Sequence, residues 1–429
     1  MQKIKIGLLG FGTVGSGVWK ILQDNKVIVE KNCGYEVEVA KILVQNMTKK
    51  REGITHTDIF TDNPKDILED PTIEIVVEVM GGIEPAKEYI LKAIENKKHI
   101  VTANKALIAS HGDQLILAAK KAQVELYYEA SVAGGIPIIH AIKESLSANR
   151  IYNIMGILNG TTNYILTKMT AENMDFETAL KQAQDKGYAE ADPTSDVEGY
   201  DAVYKLTILA RLAFGSYVPF EDVYREGITK ITPIDIEYAR ELGYVIKLLA
   251  IAKEEDGKIE LKVHPTFVPQ EHPLAAVGDA FNAVFVKGNA VGDLMFYGRG
   301  AGDLPTGSAV LGDLINIIKK KDLQKRLYEN GFDQNEKRVI SMEESQSEYY
   351  IRLLVKDIPG VFGKVATEFG RHQVSLSSVI QKGREEPSVS LVFITHETTE
   401  QKVQMALKDI VNIPEVVQLA NLIRVEKKN

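Results

Sequence analysis

KIKIGLLGFGTVG, residues 3–15, decides the fold of the first third of this chain. Lys3–Gly10 is apolar enough to predict a buried strand, and a helix to about Asp24 follows at once. A Gly-x-Gly-x-x-Gly triplet alone carries little information. Set between a strand and a helix it is the fingerprint of a dinucleotide-binding turn. Gly10 permits the tight turn, Gly12 lets the backbone approach a pyrophosphate, and Gly15 lets the helix close on the strand. The predicted cofactor-binding residues are therefore Gly10, Phe11, Gly12, Thr13, Val14 and Gly15, with the amides of Gly12, Thr13 and Val14 at the positive end of the helix.

The alternation continues outward from this stretch. Strands are predicted at Glu36–Val44, Ile73–Val79, His99–Thr102 and Glu125–Glu129, with helices at Pro85–Glu95 and, after Gly112, at Asp113–Gln123. That order predicts an α/β, Rossmann-type doubly wound parallel sheet. The second strand runs into Gln45-Asn46-Met47-Thr48-Lys49-Lys50-Arg51, three cations and no acid. An NAD site places an acid there for the ribose 2′-hydroxyl, so this loop favours a 2′-phosphate, and NADP(H) over NAD(H). After the fourth strand, Thr102-Ala103-Asn104-Lys105-Ala106 puts Lys105 at the crevice edge, where it can reach both nicotinamide and substrate.

The whole chain has 429 residues, enough for two or three domains. Its 45% hydrophobic and 26% charged content is that of a globular protein, and the net charge of −8 offers no basic stripe for nucleic acid. It contains no apolar run of membrane-spanning length, and the N-terminus enters a strand without signal-peptide layout. Cys33 is the single cysteine and the eight histidines lack metal-ligand spacing, so neither disulfides nor zinc are expected. A cytoplasmic location follows as the expectation.

Residues 183–205, AQDKGYAEADPTSDVEGYDAVYK, carry the chemistry. Asp201 and Lys205 are four apart and share a helical face. The segment Val203–Phe214 has only Tyr204, Lys205, Thr207 and Arg211 as polar positions, which predicts a buried helix. A buried lysine and aspartate need partners. Ala183, Gly187-Tyr188-Ala189, Asp192-Pro193, Asp196-Val197-Glu198-Gly199, Asp201 and Lys205 resemble the signature of homoserine dehydrogenases. TANKALIA around Lys105 resembles that family's active-site lysine loop, and Asn159-Gly160-Thr161-Thr162-Asn163 its substrate-facing turn. Asp357-Ile358-Pro359-Gly360-Val361-Phe362-Gly363 resembles the turn of the amino-acid-sensing ACT module. Together these resemblances span nearly the whole chain in the expected order.

The resemblance implies an oxidoreductase that reduces L-aspartate 4-semialdehyde to L-homoserine with NAD(P)H, in the biosynthesis of threonine, methionine and isoleucine. It implies Lys205 as proton donor, Asp201 as its orienting partner and Lys105 as a polarising cation. Glu190 would bind the substrate's ammonium, with Asp196, Gly160 and Thr161 lining the substrate side and Gly187 and Gly302 the cofactor side. The turn at Glu129-Ala130-Ser131-Val132-Ala133-Gly134-Gly135-Ile136 matches one that binds sodium (or potassium) in the family, through Glu129, Val132, Gly134 and Ile136. Asp357, Pro359, Gly360 and Gly363 would take an effector, L-threonine being the expected one, in a homodimer or homotetramer. A free lysine has a pKa of about 10.4; burial lowers it and Asp201 raises it, and sequence leaves that balance open.

The expected organisation is a dinucleotide domain at 1–137 with a return segment at 300–322, and an α+β substrate and dimerisation domain at 138–299. Strands there are predicted at Arg150–Leu158, Tyr244–Glu254, Lys258–Val268, Asn282–Lys287 and Asn289–Tyr297, with the returning helix at Thr306–Lys320. A charged linker at 323–348 precedes a ferredoxin-like βαββαβ module at 349–429. An aspartate-semialdehyde dehydrogenase would need a cysteine nucleophile, and Cys33 lies far from the sheet's C-terminal edge. A non-catalytic dinucleotide and amino-acid sensor would leave Glu190–Lys205 without a role.

Overall fold

The computed structural model describes residues 2–49, 51, 57–321, 343, 346–385 and 388–425. They fall into two compact units, residues 1–327 and 328–429. In the first, β1 (Lys3–Leu9), β2 (Glu36–Leu43), β3 (Phe60–Thr61), β4 (Ile73–Glu78), β5 (His99–Thr102) and β6 (Leu126–Tyr127) form a parallel sheet in the order β3-β2-β1-β4-β5-β6. Ile6, Leu8, Ile75, Val77 and Val101 are buried because helices cover both faces. The order reverses between β1 and β4, which opens the crevice where ligands bind in such sheets.

One covering helix comes from far along the chain. Asp303–Lys321 packs Val310, Leu311, Leu314 and Ile317 against Val18 and Leu22 of helix Thr13–Asp24. The crossing is backbone to backbone: a Cβ on Gly17 would lie 2.0 Å from the Asp303 carbonyl oxygen.

Three local expectations are corrected here. Gly112 does not break a helix: Lys105–Ala122 is continuous, started by Asn104, whose Oδ1 accepts the Leu107 amide at 3.2 Å. A good cap and the apolar Leu107, Ile108 and Leu115 outweigh the roughly 1 kcal/mol that an interior glycine costs. A further helix, Lys26–Cys33, precedes β2 and ends at left-handed Gly34. Residues 125–129 form only the short β6, followed by a 3₁₀ turn at Glu129–Ser131.

The second sheet contains β7 (Ile151–Ile157), β8 (Tyr224–Arg225), β9 (Tyr244–Glu255), β10 (Lys258–Pro269), β11 (Phe281–Gly288) and β12 (Gly292–Arg299), in the order β12-β11-β7-β9-β10-β8. It is antiparallel except for β8 beside β10. The strand expected from Asn289 starts at Gly292, since Gly288 pairs with Gly292 across a hairpin. Helix Tyr200–Phe214 lies between this sheet and helix Lys105–Ala122, which explains why it is apolar nearly all round.

The second unit has β13 (Gln346–Val355), β14 (Leu376–Glu385), β15 (Ser388–Thr395), β16 (Thr398–Thr399) and β17 (Val416–Val425), with helices Val361–Arg371 and Glu400–Ile410. The four long strands are antiparallel in the order β14-β15-β13-β17, over a core that includes Tyr349, Leu353, Phe369 and Phe393. Of the expected linker, 322–342 and 344–345 lie outside the described residues, and Gln346-Ser347-Glu348 already belong to β13.

Candidate active site

The chemistry collects where β7 ends. Asn159 caps helix Gly160–Glu172, its Oδ1 accepting the Thr162 amide at 2.8 Å. Helix Tyr200–Phe214 runs past this cap and presents Asp201 and Lys205, 3% and 7% exposed, on one face. Lys205 Nζ donates to Asp201 Oδ2 and to the Leu158 carbonyl, each at 2.6 Å. Lys105, at the first turn of its own helix, pairs with the other Asp201 oxygen, Oδ1. Asn159 Nδ2 donates to Asp201 Oδ2 at 2.9 Å and to Asp196 Oδ1 at 2.7 Å. One carboxylate thus holds two ammonium groups and a carboxamide from three elements.

Electrostatics follow from that arrangement. Burial would push the Asp201 carboxyl up, but the Lys205 and Lys105 ammonium groups outweigh it and hold the group well below the usual carboxylate range. The Asp201 charge raises Lys105. At Lys205 burial wins: it lowers the ammonium pKa against Asp201, with the Lys105 charge acting in the same direction. The balance that sequence left open is decided by depth. Asp196 is pushed up by burial and then by the Asp201 charge.

Cavities of about 660, 480 and 600 Å³ share lining residues and make one cleft along the C-terminal edge of the parallel sheet. At one end lie Gly10, Phe11 and Gly12; at the other, Gly160, Thr161, Gly187 and Asp196, with Glu190 and Lys205 bordering both this and the middle cavity. Thr13, Lys105, Gly300 and Gly302 lie between, bordering both inner cavities, and Val14 borders the middle one. Gly187 borders the innermost cavity, away from Gly10, Phe11 and Gly12 at the opposite end. A Cβ on Gly12 would meet nothing within 4 Å, so no protein group demands a glycine there and the space before this helix start suits a pyrophosphate. Gly15 acts in packing, as a Cβ there would lie 2.5 Å from the Gly10 carbonyl. The Glu190 carboxylate is exposed and its charge reaches Lys105. The Thr161 hydroxyl donates to the Tyr188 carbonyl at 2.6 Å and so positions the Gly187–Glu190 loop.

The cationic loop after β2 is folded onto the cleft. Asn46 Oδ1 accepts the amides of Thr48 and Lys49, and Arg51 donates to the Asn46 carbonyl at 2.7 Å while stacking over Phe60. Lys49 and Arg51 line the cleft; Lys50 lies outside the described residues. Asp62, just past β3, lines the same end, an acid brought there by the strand next to β2.

At the turn after β6, the buried Glu129 carboxylate accepts the amides of Ile139 at 2.8 Å and His140 at 2.7 Å. The Glu129 and Ile136 carbonyls accept the Val132 and Ile138 amides, and Gly134 is left-handed against Gly300. Buried Asp313 accepts the Glu129 amide at 2.8 Å and lies 2.9 Å from His140 Nε2. Burial pushes Glu129 up to about 7 and also raises Asp313. Glu129, His140 and Asp313 bring ligand-type side-chain atoms together at this turn, with the Lys143 charge also acting on Asp313.

In the second unit, Gly360 and Gly363 border an open groove of about 610 Å³ beside helix Val361–Arg371, together with Lys364, Arg371 and Asp409. Asp357 and Pro359 precede it in the turn and are not among its walls. Asn159 reads in the sequence only as part of the substrate-facing turn, which does not reveal its hold on Asp196 and Asp201. Its signal was present, an asparagine before a glycine-led helix, but a cap and a site residue look alike in one dimension.

Residues 137–315 match the family model described as homoserine dehydrogenase, residues 10–129 match homoserine dehydrogenase, NAD binding domain, and residues 349–415 match the ACT domain. The chain is 44% identical to a homoserine dehydrogenase of Bacillus subtilis, over 99% of both chains. A Synechocystis homoserine dehydrogenase is 46% identical, with 98% of this chain and 99% of that one covered. Among solved structures, a homoserine dehydrogenase from Thiobacillus denitrificans superposes with a TM-score of 0.73 at 42% identity, covering 99% of each chain. A hyperthermophilic archaeal homoserine dehydrogenase in complex with NADPH superposes at 0.64 and 28% identity, covering 74% of this chain and 98% of that one.

Proposed function

The chain belongs to the homoserine dehydrogenase family, and on that premise we propose how its residues divide the work of interconverting L-aspartate 4-semialdehyde and L-homoserine. The observation that carries the assignment is the Asp201 carboxylate shared by Lys105 and Lys205 at the cleft floor. A bound reduced nicotinamide supplies the hydride. Lys205 Nζ gives a proton to the substrate carbonyl oxygen as the alcohol forms and is left as a neutral amine, its lowered pKa bringing it closer to an efficient acid at neutral pH. Lys105 keeps its charge and polarises the carbonyl, while Asp201 fixes both lysines. A coupled assay of NADPH oxidation with aspartate semialdehyde tests the activity directly; no turnover by folded protein would refute it.

Glu190 takes the substrate's ammonium group. Glu190→Ala is expected to raise KM for homoserine by about tenfold or more, the worth of one charge-assisted hydrogen bond, with KM for the cofactor little changed. A loss confined to the cofactor would remove Glu190 from this role.

Lys49 and Arg51 at the cleft end support NADP(H) as the preferred cofactor. A higher kcat/KM with NADPH than with NADH is expected, and Asp62 works against it, so equal values would mean that the acid cancels the cations. Sodium or potassium is proposed at the Glu129, Val132, Gly134 and Ile136 turn, and dialysed enzyme should regain activity on adding either ion; indifference to both would exclude it.

The second unit is proposed to sense L-threonine through its Gly360–Gly363 turn, in a dimer or tetramer, with the enzyme in the route to threonine, methionine and isoleucine. Calorimetry and inhibition of the full-length enzyme at millimolar threonine check this, and a null result in both leaves the module structural. No helix among the described residues is long and apolar enough to cross a membrane, and a cytoplasmic location belongs to the same proposal.

A further inference from the structure

Under the C-terminal edge of the parallel sheet lies a carboxylate that no lysine, arginine or histidine pairs with among the described residues. Glu78, the last residue of β4, is 0% exposed. Its Oε1 accepts the amides of Met80 at 2.8 Å and Gly81 at 3.4 Å, and its Oε2 accepts the Thr102 hydroxyl at 2.6 Å. Thr102 Oγ1 in turn accepts the Asn104 amide at 3.0 Å, which leaves its own proton available to Glu78. Both carboxylate oxygens are acceptors, the pattern of an ionised group held by neutral donors. Burial raises the Glu78 carboxyl pKa overall, the donors offsetting only part of it, so the ionised form depends on these hydrogen bonds.

The segments tied down in this way are walls of the cleft. Met80 and Gly81 border both its outer and middle cavities, and Asn104 borders the middle one beside Lys105. Asn104 Nδ2 also donates to the Gly82 carbonyl at 2.6 Å, joining the two strand ends. Glu78 differs from the buried carboxylate of Asp201, whose charge is matched by two lysines.

We propose that Glu78 is a positioning residue whose buried negative charge biases the cleft toward the oxidised, positively charged nicotinamide over the reduced, neutral ring. The two cofactor forms differ by one positive charge on that ring. A fixed anion in low-dielectric surroundings acts on such a charge over a longer range than one in water. The inference rests on the cleft being the nicotinamide dinucleotide site proposed above.

The test is the dissociation constants of NADP+ and NADPH, measured by calorimetry for wild type, Glu78→Gln and Thr102→Val. In Glu78→Gln the affinity for NADP+ is expected to fall by about fivefold relative to that for NADPH. Thr102→Val, which removes a hydrogen bond and keeps the charge, should leave the ratio within about twofold of wild type. An unchanged ratio in Glu78→Gln overturns the proposal even when both affinities fall, because that is what a purely structural role would do. Wild-type protein that binds neither form would refute the cleft assignment instead. Should Glu78→Gln not fold, the wild-type NADP+ to NADPH affinity ratio is measured on either side of the carboxyl titration followed by ¹³C NMR: a ratio that falls on protonation upholds the proposal, and an unchanged ratio or a carboxyl protonated at neutral pH overturns it.

Discussion

Lys205→Ala is expected to lower kcat at least about a hundredfold while the protein keeps its fold, the usual minimum for losing a general acid. Folding should survive because Asp201 retains Lys105 and Asn159 as partners, so no buried carboxylate is stranded. The pH dependence identifies the role more sharply than the magnitude. Reduction of the aldehyde needs protonated Lys205, so its rate should be high at low pH and fall as pH rises through the Lys205 pKa. That pKa lies below the ordinary lysine value, because burial outweighs the attraction of Asp201. Oxidation of homoserine needs the neutral amine, so its rate should rise through the same pKa. Rates that move together in both directions, or a variant within about threefold of wild type, would take Lys205 out of the mechanism.

Asp201→Ala should have the largest effect on stability. It leaves Lys205 buried without its counter-charge, and breaking a buried pair from one side costs about 3–5 kcal/mol. Lys105 is 43% exposed at its side chain and can turn to water, so the cost falls mainly on Lys205. The sign with pH is fixed. In the variant the folded-state pKa of Lys205 drops further below its unfolded value, so the unfolded chain binds more protons between the two. Stability should therefore rise with pH across that window and be lost as pH falls. Urea midpoints measured across the alkaline range check this, and a midpoint that falls with rising pH would contradict it.

Much of this was legible in one dimension because it rests on short-range rules. The glycines at 10, 12 and 15 report steric demands between neighbours, and the i,i+4 spacing of Asp201 and Lys205 fixes a shared face. What failed was decided by contacts across the chain. Gly112 reads as a helix break until the helix capped at Asn104 is seen to pack Leu107, Ile108 and Leu115 into the core on either side of it. Asp62 reads as an ordinary loop acid until β3 is placed beside β2. The sign of the Lys205 shift depends on how deeply the second sheet and helix Lys105–Ala122 enclose it, which no spacing encodes. Glu78 reads as a strand-end residue until Thr102, on a different strand, is seen to donate to it.

The packing of helix Asp303–Lys321 on Thr13–Asp24 has a consequence for how the protein is made. Val310, Leu311, Leu314 and Ile317 complete one face of a sheet whose last strand ends at Tyr127. A ribosome adding roughly 5–20 residues per second takes on the order of 10–40 s to travel from that strand to this helix. Throughout that interval Val18 and Leu22 lack their final cover, so the nucleotide domain, although encoded first, cannot finish first. The intervening domain must emerge before its host is sealed, and a ribosome stalled before residue 303 would hold an apolar sheet face open to chaperones.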